Sequence, residues 1–257
     1  MSLKLFDLTG RGALVTGGSK GLGKSMAKGF AEAGADVVIS SRHEDELRAA
    51  AEEIKAAAPK AKVHYLVADM TKSDDVARLA ARSAEFLGKV DILVNNAGSN
   101  SPEPIDQISD DTWGRIVELN LTSCMTLTRA LVPGMKERRW GRIIHISSIM
   151  GYTSAAGRNA YSATKSALLG LARASANDLG MFGITVNCIA PGPFLTDLPT
   201  SLLSQEQQDF FAARTTMNRW GQPDELIGPA LLLASDAGSY ITGTSIVVDG
   251  GVLAKVF

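Results

Sequence analysis

The chain has 257 residues, 45% hydrophobic and 21% charged, with a net charge of −1, a balance that gives no general attraction to nucleic acid or to membrane surfaces. No apolar run reaches the roughly 18 residues of a membrane-spanning helix, and residues 1–8 lack the cationic stretch and hydrophobic core of a secretory signal. Cys124 and Cys188 have no metal-ligand spacing and read as reduced, mostly buried thiols of a cytoplasmic protein.

Residues 12–16 form a short apolar run, a first strand, which ends in the glycine-rich stretch 17–23. Helical spacing follows to about Ala33, where Gly34 stops it. Residues 36–40, Asp-Val-Val-Ile-Ser, read as a buried strand, and 44–57 as a helix with Pro59 just beyond its end. Further strands are expected at 63–67, 92–94, 143–146, 184–189 and 245–248, alternating with helices around 74–87, 110–137, 159–180 and 224–234. Residues 136–142 are basic but contain Glu137, as expected for a solvated helix end whose cations complement the helix dipole.

Strand–helix alternation along the whole chain predicts a parallel sheet with helices on both faces. Right-handed crossovers make this a Rossmann-type doubly wound α/β fold. No linker, low-complexity tract or repeat interrupts it, so residues 1–257 are expected to form one domain. The least regular segment, 190–222, opens with Pro191-Gly192-Pro193 and holds a possible helix near 201–213. It is the expected lid over a site.

The stretch Thr16-Gly17-Gly18-Ser19-Lys20-Gly21-Leu22-Gly23 joins the first strand to the first helix. Its glycines permit a tight turn and close backbone approach to a pyrophosphate, which the helix N-terminus would attract. An NAD binder usually carries an acid at the end of the second strand to hold the ribose 2′-hydroxyl. This chain has Ser40-Ser41-Arg42 there, and Lys20 adds a second cation. A guanidinium with two hydroxyls suits a 2′-phosphate, so NADP(H) is expected over NAD(H). Asp69, with Met70 beside it, follows the third strand; it either holds the adenine amino group or caps the helix beginning near Ser73.

Tyr161 and Lys165 are four residues apart, which puts a phenol and an ammonium on one helix face. A phenol has a pKa of about 10, and a neighbouring positive charge favours the phenolate. Such a group can exchange a proton with an alcohol or a carbonyl. A serine hydroxyl beside it could hold the same substrate oxygen. No cluster of residues suits a metal, and His145, in a strand, reads as a hydrogen-bonded core histidine.

Together these features resemble the short-chain dehydrogenase/reductase family. The match includes the Thr-Gly-x-x-x-Gly-x-Gly loop at 16–23 and Asn95-Asn96-Ala97-Gly98 after the fourth strand. Asn120, Ser148, Tyr161-x-x-x-Lys165, Pro191-Gly192 and Thr196 follow in family order. The resemblance implies Tyr161 as general acid in reduction and base in oxidation, and Ser148 as the group that orients and polarises the substrate oxygen. Ser147 is the rival, but the family's thirteen-residue offset to the tyrosine favours Ser148. Lys165 would bind the nicotinamide ribose, and Asn120 would hold a water in a proton relay to it. Asn96, Ala97 and Gly98 would contact the cofactor, and Ile189, Pro191, Gly192 and Thr196 would flank the nicotinamide. Hydride would pass between nicotinamide C4 and a carbonyl carbon.

Residues 219–228 and 248–251, with the opening Leu5-Phe6-Asp7-Leu8-Thr9-Gly10, resemble gluconate 5-dehydrogenase-like members, which implies a sugar-acid ketone as substrate. Much of the chain also resembles 3-oxoacyl-carrier-protein reductases. Arg139 matches one of their two carrier-docking cations, but Phe182 stands where the second would be. A non-catalytic NADP-binding protein is the reading from another class, and intact Lys165 and glycine loop speak against it. Ser99, Asn100, Met150, Tyr152, Asn159 and Phe194 are the pocket candidates by their place beside the motifs. The family resemblance also implies a homotetramer built through helices 110–137 and 159–180 and the last strand, with Leu168, Leu169, Leu171 and Ala172 on the helix interface or facing their own sheet.

Overall fold

The computed structural model describes residues 3–196 and 204–255. Seven strands form one parallel sheet: β1 (Gly12–Thr16), β2 (Asp36–Ser41), β3 (Val63–Val67), β4 (Ile92–Asn95), β5 (Gly141–Ile146), β6 (Ile184–Pro191) and β7 (Ser245–Val248). Their order across the sheet is β3-β2-β1-β4-β5-β6-β7. The helices are α1 (Gly21–Glu32), α2 (Glu44–Ala57), α3 (Ser73–Leu87), α4 (Asp110–Val117), α5 (Ser123–Arg138), α6 (Asn159–Leu179), α7 (Gln205–Ala213) and α8 (Ile227–Ala234).

Side-chain alternation splits the interior into two layers. Ala13 and Val15 of β1 and Val37 and Ile39 of β2 pack against α1, α2 and α8. Leu14 and Val38 point the other way, against α3, α5 and α6. The central strands β1, β4, β5 and β6 are buried along their whole length, which is why they read as apolar runs rather than as alternating patterns. The chain winds outward from β1 to β3 and returns to β4 on the other side of β1. The strand order therefore reverses between β1 and β4, where a doubly wound sheet opens a crevice at its carboxyl ends.

Three elements differ from the sequence expectation. The helix expected over 110–137 is broken by a π-helical turn, Glu118–Thr122, between α4 and α5. Wider i→i+5 turns of this kind are often found at functional sites. Two carbonyls of the turn gain side-chain donors: Ser123 Oγ on Leu119 O at 2.6 Å and Cys124 Sγ on Asn120 O at 3.4 Å. The helix expected over 224–234 starts as a 3-10 turn, Pro223–Leu226, because Pro223 fixes the first turn, and becomes α-helical only at Ile227. Of the helix expected near 201–213, α7 covers Gln205–Ala213, started by a reciprocal cap between Ser204 and Gln207. Residues 201–203 lie outside the described residues, as does the middle of the expected lid at 197–203.

The described part of that segment folds back on the loop after β6. Gly221 N donates to Pro193 O and Leu195 N to Gly221 O, both at 2.9 Å, and Trp220 Nε1 donates to Gln208 O at 2.9 Å. Leu168, Leu169 and Ala172 of α6 are buried against their own sheet, so of the four residues proposed for a helix interface only Leu171 stays near the surface.

Candidate active site

The carboxyl ends of β1, β4, β5 and β6 carry the glycine loop, Asn96-Ala97-Gly98, Ser148 and Pro191-Gly192, and the π turn and α6 add Asn120, Tyr161 and Lys165. At the switch point, Thr16 staples the first two together. Its hydroxyl, buried at the end of β1, accepts from Asn96 N and Ala97 N, each at 3.0 Å. Asn96 Nδ2 returns two bonds, to Thr16 O at 2.9 Å and Gly17 O at 3.0 Å. Asn96 is thus spent on shaping the glycine loop. The sequence motif includes Thr16 as the first residue of the loop but assigns it no role; its hydroxyl proves to be the staple.

The glycine loop is a cradle with no room for side chains. A Cβ on Gly17 would lie 2.8 Å from Asn96 Nδ2, and one on Gly23 would press directly on Gly17 O. Gly17 and Gly21 also have positive φ, 64° and 52°. A Cβ on Gly21 would meet the Thr196 methyl at 3.0 Å, so the loop after β6 lies over the loop after β1. The N-cap residue of α1, Lys20, makes no side-chain cap, and Leu22 packs on the core and sets the helix. Closely approachable backbone at a helix N-terminus is what a dinucleotide pyrophosphate needs, and these residues fit one.

At the end of β2 the picture is mixed. Ser41 and Arg42 are at the surface, but Ser40 is fully buried, so only one of the two expected hydroxyls can meet a ligand. Lys20 Nζ is bonded to Glu46 Oε1 at 2.7 Å, and Ser19 Oγ to Glu46 Oε2 at 3.4 Å. Asp69 does not cap α3. Its carboxylate accepts from Thr71 N at 3.0 Å and Thr71 Oγ1 at 2.8 Å, and these bonds hold it below its ordinary pKa. Met70 is buried in the second core layer.

The chemical end is built around α6. Lys165 is buried, and its Nζ donates to Ile146 O, the last carbonyl of β5, at 2.7 Å. The same Nζ lies 5.6 Å from the centroid of the Tyr161 ring, which places a positive charge beside the phenol. Ser147 and Ser148 have separate partners. Ser147 Oγ donates to Lys165 O at 2.8 Å and is 2% exposed, a strut between β5 and α6. Ser148 Oγ accepts from Met150 N at 3.1 Å, which leaves its own proton to donate. The 3-10 turn Ile149–Gly151 that carries Met150 is fixed to α6 by Ser166 Oγ, which donates to Gly151 O at 2.9 Å.

Asn120 sits in the π turn, completely buried. Its Oδ1 accepts from Ser99 N at 2.9 Å, and its Nδ2 donates to Ser99 O at 2.9 Å and to Thr164 Oγ1 at 3.2 Å. A Cβ on Gly98 would stand 3.2 Å from Asn120 Oδ1 and 3.5 Å from Lys165 Nζ, so these three residues meet at one point. Below them, His145 is buried with Asn95 Nδ2 at 3.1 Å from its Nδ1. Burial first, and then the charge of Lys165, push this histidine down to about 4. It is a neutral core residue. Cys124 and Cys188 are free and buried, pushed up to about 11 and about 12 chiefly by burial.

Two pocket candidates are engaged elsewhere. Asn159 Nδ2 donates to Glu103 O at 2.9 Å and anchors the loop before α4. Phe194 is 6% exposed and packs in the first core layer, with Gly221 against its ring. Met150 and Tyr152 remain at the surface beside Ser148. Pro191 ends β6, and Gly192 N donates to Val248 O at 2.9 Å, which ties the last two strands at the site edge. Among the described residues no group of acids, histidines and cysteines could hold a metal ion, and no helix is long and apolar enough to cross a membrane.

This arrangement agrees with comparisons to known proteins. The family model of the enoyl-(acyl carrier protein) reductases matches residues 17–253. Gluconate 5-dehydrogenase of Gluconobacter oxydans is 36% identical over 253 residues, covering 98% of each chain. The L-rhamnose 1-dehydrogenase (NADP(+)) of Thermoplasma acidophilum is 37% identical over 257 residues, covering 98% of this chain and all of that one. The crystal structure of a 3-oxoacyl (acyl-carrier-protein) reductase from Agrobacterium tumefaciens C58, with NADP bound, superposes with a TM-score of 0.92 at 33% identity, covering 97% of both chains. With the sheet order, the glycine cradle, Ser148 after β5 and Lys165 of α6 bonded to the end of that strand, these matches show that the chain belongs to the short-chain dehydrogenase/reductase family of oxidoreductases.

Proposed function

We propose that the protein interconverts a carbonyl and a secondary alcohol with NADP(H), with Tyr161 as the acid/base, on a sugar-acid ketone of the gluconate 5-dehydrogenase type. The observation that carries the chemistry is the position of Lys165 Nζ, bonded to Ile146 O at 2.7 Å and 5.6 Å from the Tyr161 ring. One of its three N–H donors meets Ile146 O; the others are available to the nicotinamide ribose hydroxyls. The bound nicotinamide supplies or accepts the hydride at the substrate carbon.

The chain's own residues handle the proton and the oxygen. Tyr161 Oη gives its proton to the oxygen in reduction and takes it back in oxidation. Ser148 donates its hydroxyl hydrogen to the same oxygen, a bond that strengthens as negative charge develops there. Lys165 holds the ribose and presents its charge to the phenol. Asn120, fixed by three bonds, keeps the loop after β4 and the first turns of α6 in register and holds a relay water near Lys165. Gly17, Gly21, Leu22 and Gly23 receive the pyrophosphate, Ser41 and Arg42 with Lys20 and Ser19 the 2′-phosphate, and Asp69 with the main chain of Met70 borders the adenine. Ala97, Gly98, Pro191, Gly192 and Thr196 enclose the nicotinamide half, with Met150 on the substrate side and Asn159 and Phe194 bracing the loops behind it through Glu103 O and Gly221.

The sugar-acid reading draws on the gluconate 5-dehydrogenase relative, which is matched end to end. A carrier-protein thioester is the second reading, supported by the superposition on a 3-oxoacyl reductase. Phe182 weighs against it: an apolar ring, with Lys136 Nζ 4.6 Å from its centroid, stands where those enzymes carry their second docking cation, although Arg139 keeps the first. The chain is taken as one catalytic domain, with the residues on either side of 197–203 in the 190–222 segment bordering the site, in a cytoplasmic homotetramer using the surface of α5 and α6 around Met125, Val132 and Leu171. A sedimentation mass of one chain at micromolar concentration would contradict the tetramer. The function is tested by turnover of NADPH and NADH against 5-ketogluconate, an acetoacetyl thioester and simple diketones. The reading requires 5-ketogluconate with NADPH to be the best pair; preference for the thioester would transfer the chain to the second reading.

A further inference from the structure

We infer that Glu46 sets cofactor selectivity by competing with the 2′-phosphate of NADP(H) for Lys20 and Ser19, so that its removal raises the preference for NADP(H). The inference rests on the proposed placement of that phosphate by Lys20, Ser41 and Arg42.

Glu46 lies in the first turn of α2, and its carboxylate reaches across to the glycine loop. One oxygen is 2.7 Å from Lys20 Nζ and the other 3.4 Å from Ser19 Oγ. The carboxylate therefore sits on groups that a 2′-phosphate needs. It stays ionised below its ordinary range, held there by the bond from Lys20 and then by the charges of Lys20 and His43. One ammonium cannot fully serve two anions. A phosphate arriving here must turn Glu46 aside and then remain near its negative charge.

Exposure decides how strong this competition is. The Lys20 and Glu46 side chains are 52% and 33% exposed, so water screens the pair and the carboxylate can swing out. Glu46 thus weakens NADP(H) binding without blocking it. NAD(H) brings only a neutral 2′-hydroxyl, which can donate to the carboxylate where it stands. An acid serves NAD binders in this way at the end of the second strand; here it stands in the following helix, among cations that suit a phosphate.

The test is calorimetric titration of the full chain with NADP+ and NAD+, comparing wild type, Glu46→Gln and Arg42→Ala. Glu46→Gln is expected to tighten NADP+ about three- to tenfold and to leave NAD+ within about twofold, the scale of one screened ion pair plus one like-charge contact. If Glu46→Gln leaves NADP+ unchanged or weaker while Arg42→Ala weakens NADP+ alone, the phosphate is where we place it and Glu46 serves only the start of α2. If Arg42→Ala changes both cofactors equally, the phosphate placement itself fails and the inference falls with it. Loss of folding would depress both cofactors together, so their ratio separates that case.

Discussion

Asn120 and Ser99 are joined by two reciprocal hydrogen bonds, each of 2.9 Å, between the Asn120 side-chain amide and the Ser99 main chain. The amide acts as one more peptide edge and locks the loop after β4 to the π turn. Asn120→Ala would strand the Ser99 N–H and C=O in a half-buried setting. A stability loss of about 2–4 kcal/mol in urea unfolding is expected, together with reduced turnover. Unchanged stability would mean that the π turn holds its shape without the amide.

The two adjacent serines should separate cleanly. Ser148→Ala is expected to lower kcat/KM about 10²–10³-fold with little change in melting temperature, as loss of one donor to a developing oxyanion does. Ser147→Ala removes the bond to Lys165 O and should cost about 1–2 kcal/mol of stability. Reversal of this pattern would exchange their roles.

His145 gives the fold an acid sensitivity. Its folded pKa is pushed down to about 4 from 6.5, so between those values the unfolded chain binds the extra proton and folding weakens as pH falls. The cumulative effect is on the order of 3 kcal/mol by pH 4. His145→Asn should flatten the pH dependence of the unfolding midpoint in that window. An unaltered slope would assign acid loss to other groups.

Gly23→Ala would put a methyl against Gly17 O and 2.5 Å from Asn96 Nδ2. The loop must open, so cofactor dissociation constants should rise at least about tenfold for NADP+ and NAD+ alike. Binding at wild-type strength would show that the pyrophosphate does not use this cradle.

Much of this architecture was legible because buried parallel strands are short apolar runs and a glycine-rich turn from a first strand into a first helix suits little besides a phosphate. The serine, tyrosine and lysine stood out only jointly: Ser147 offers the same hydroxyl as Ser148, and it was the spacing of all three within the family resemblance that singled them out. The split between Ser40 and Ser41 was not legible: Val38 and Ile39 are buried on opposite faces of β2, so alternation marks neither serine as the first to leave the core. The π turn at Asn120 was invisible, because one extra residue in a helical turn leaves propensity and periodicity almost unchanged. Glu46 was hidden differently: an acid in the first turn of a helix reads as a complement to the helix dipole. Only the folded geometry shows that it reaches Lys20, 26 residues away along the chain.

Tyr161 moves the proton in the proposed reaction. The direct measurement is single-turnover NADPH oxidation by Tyr161→Phe with the best ketone, alongside calorimetric binding of NADP+. A rate reduced at least about 10³-fold, with cofactor affinity within a few-fold of wild type, is expected. A Tyr161→Phe enzyme that turns over at more than about a tenth of the wild-type rate would contradict it and leave the proton to another group.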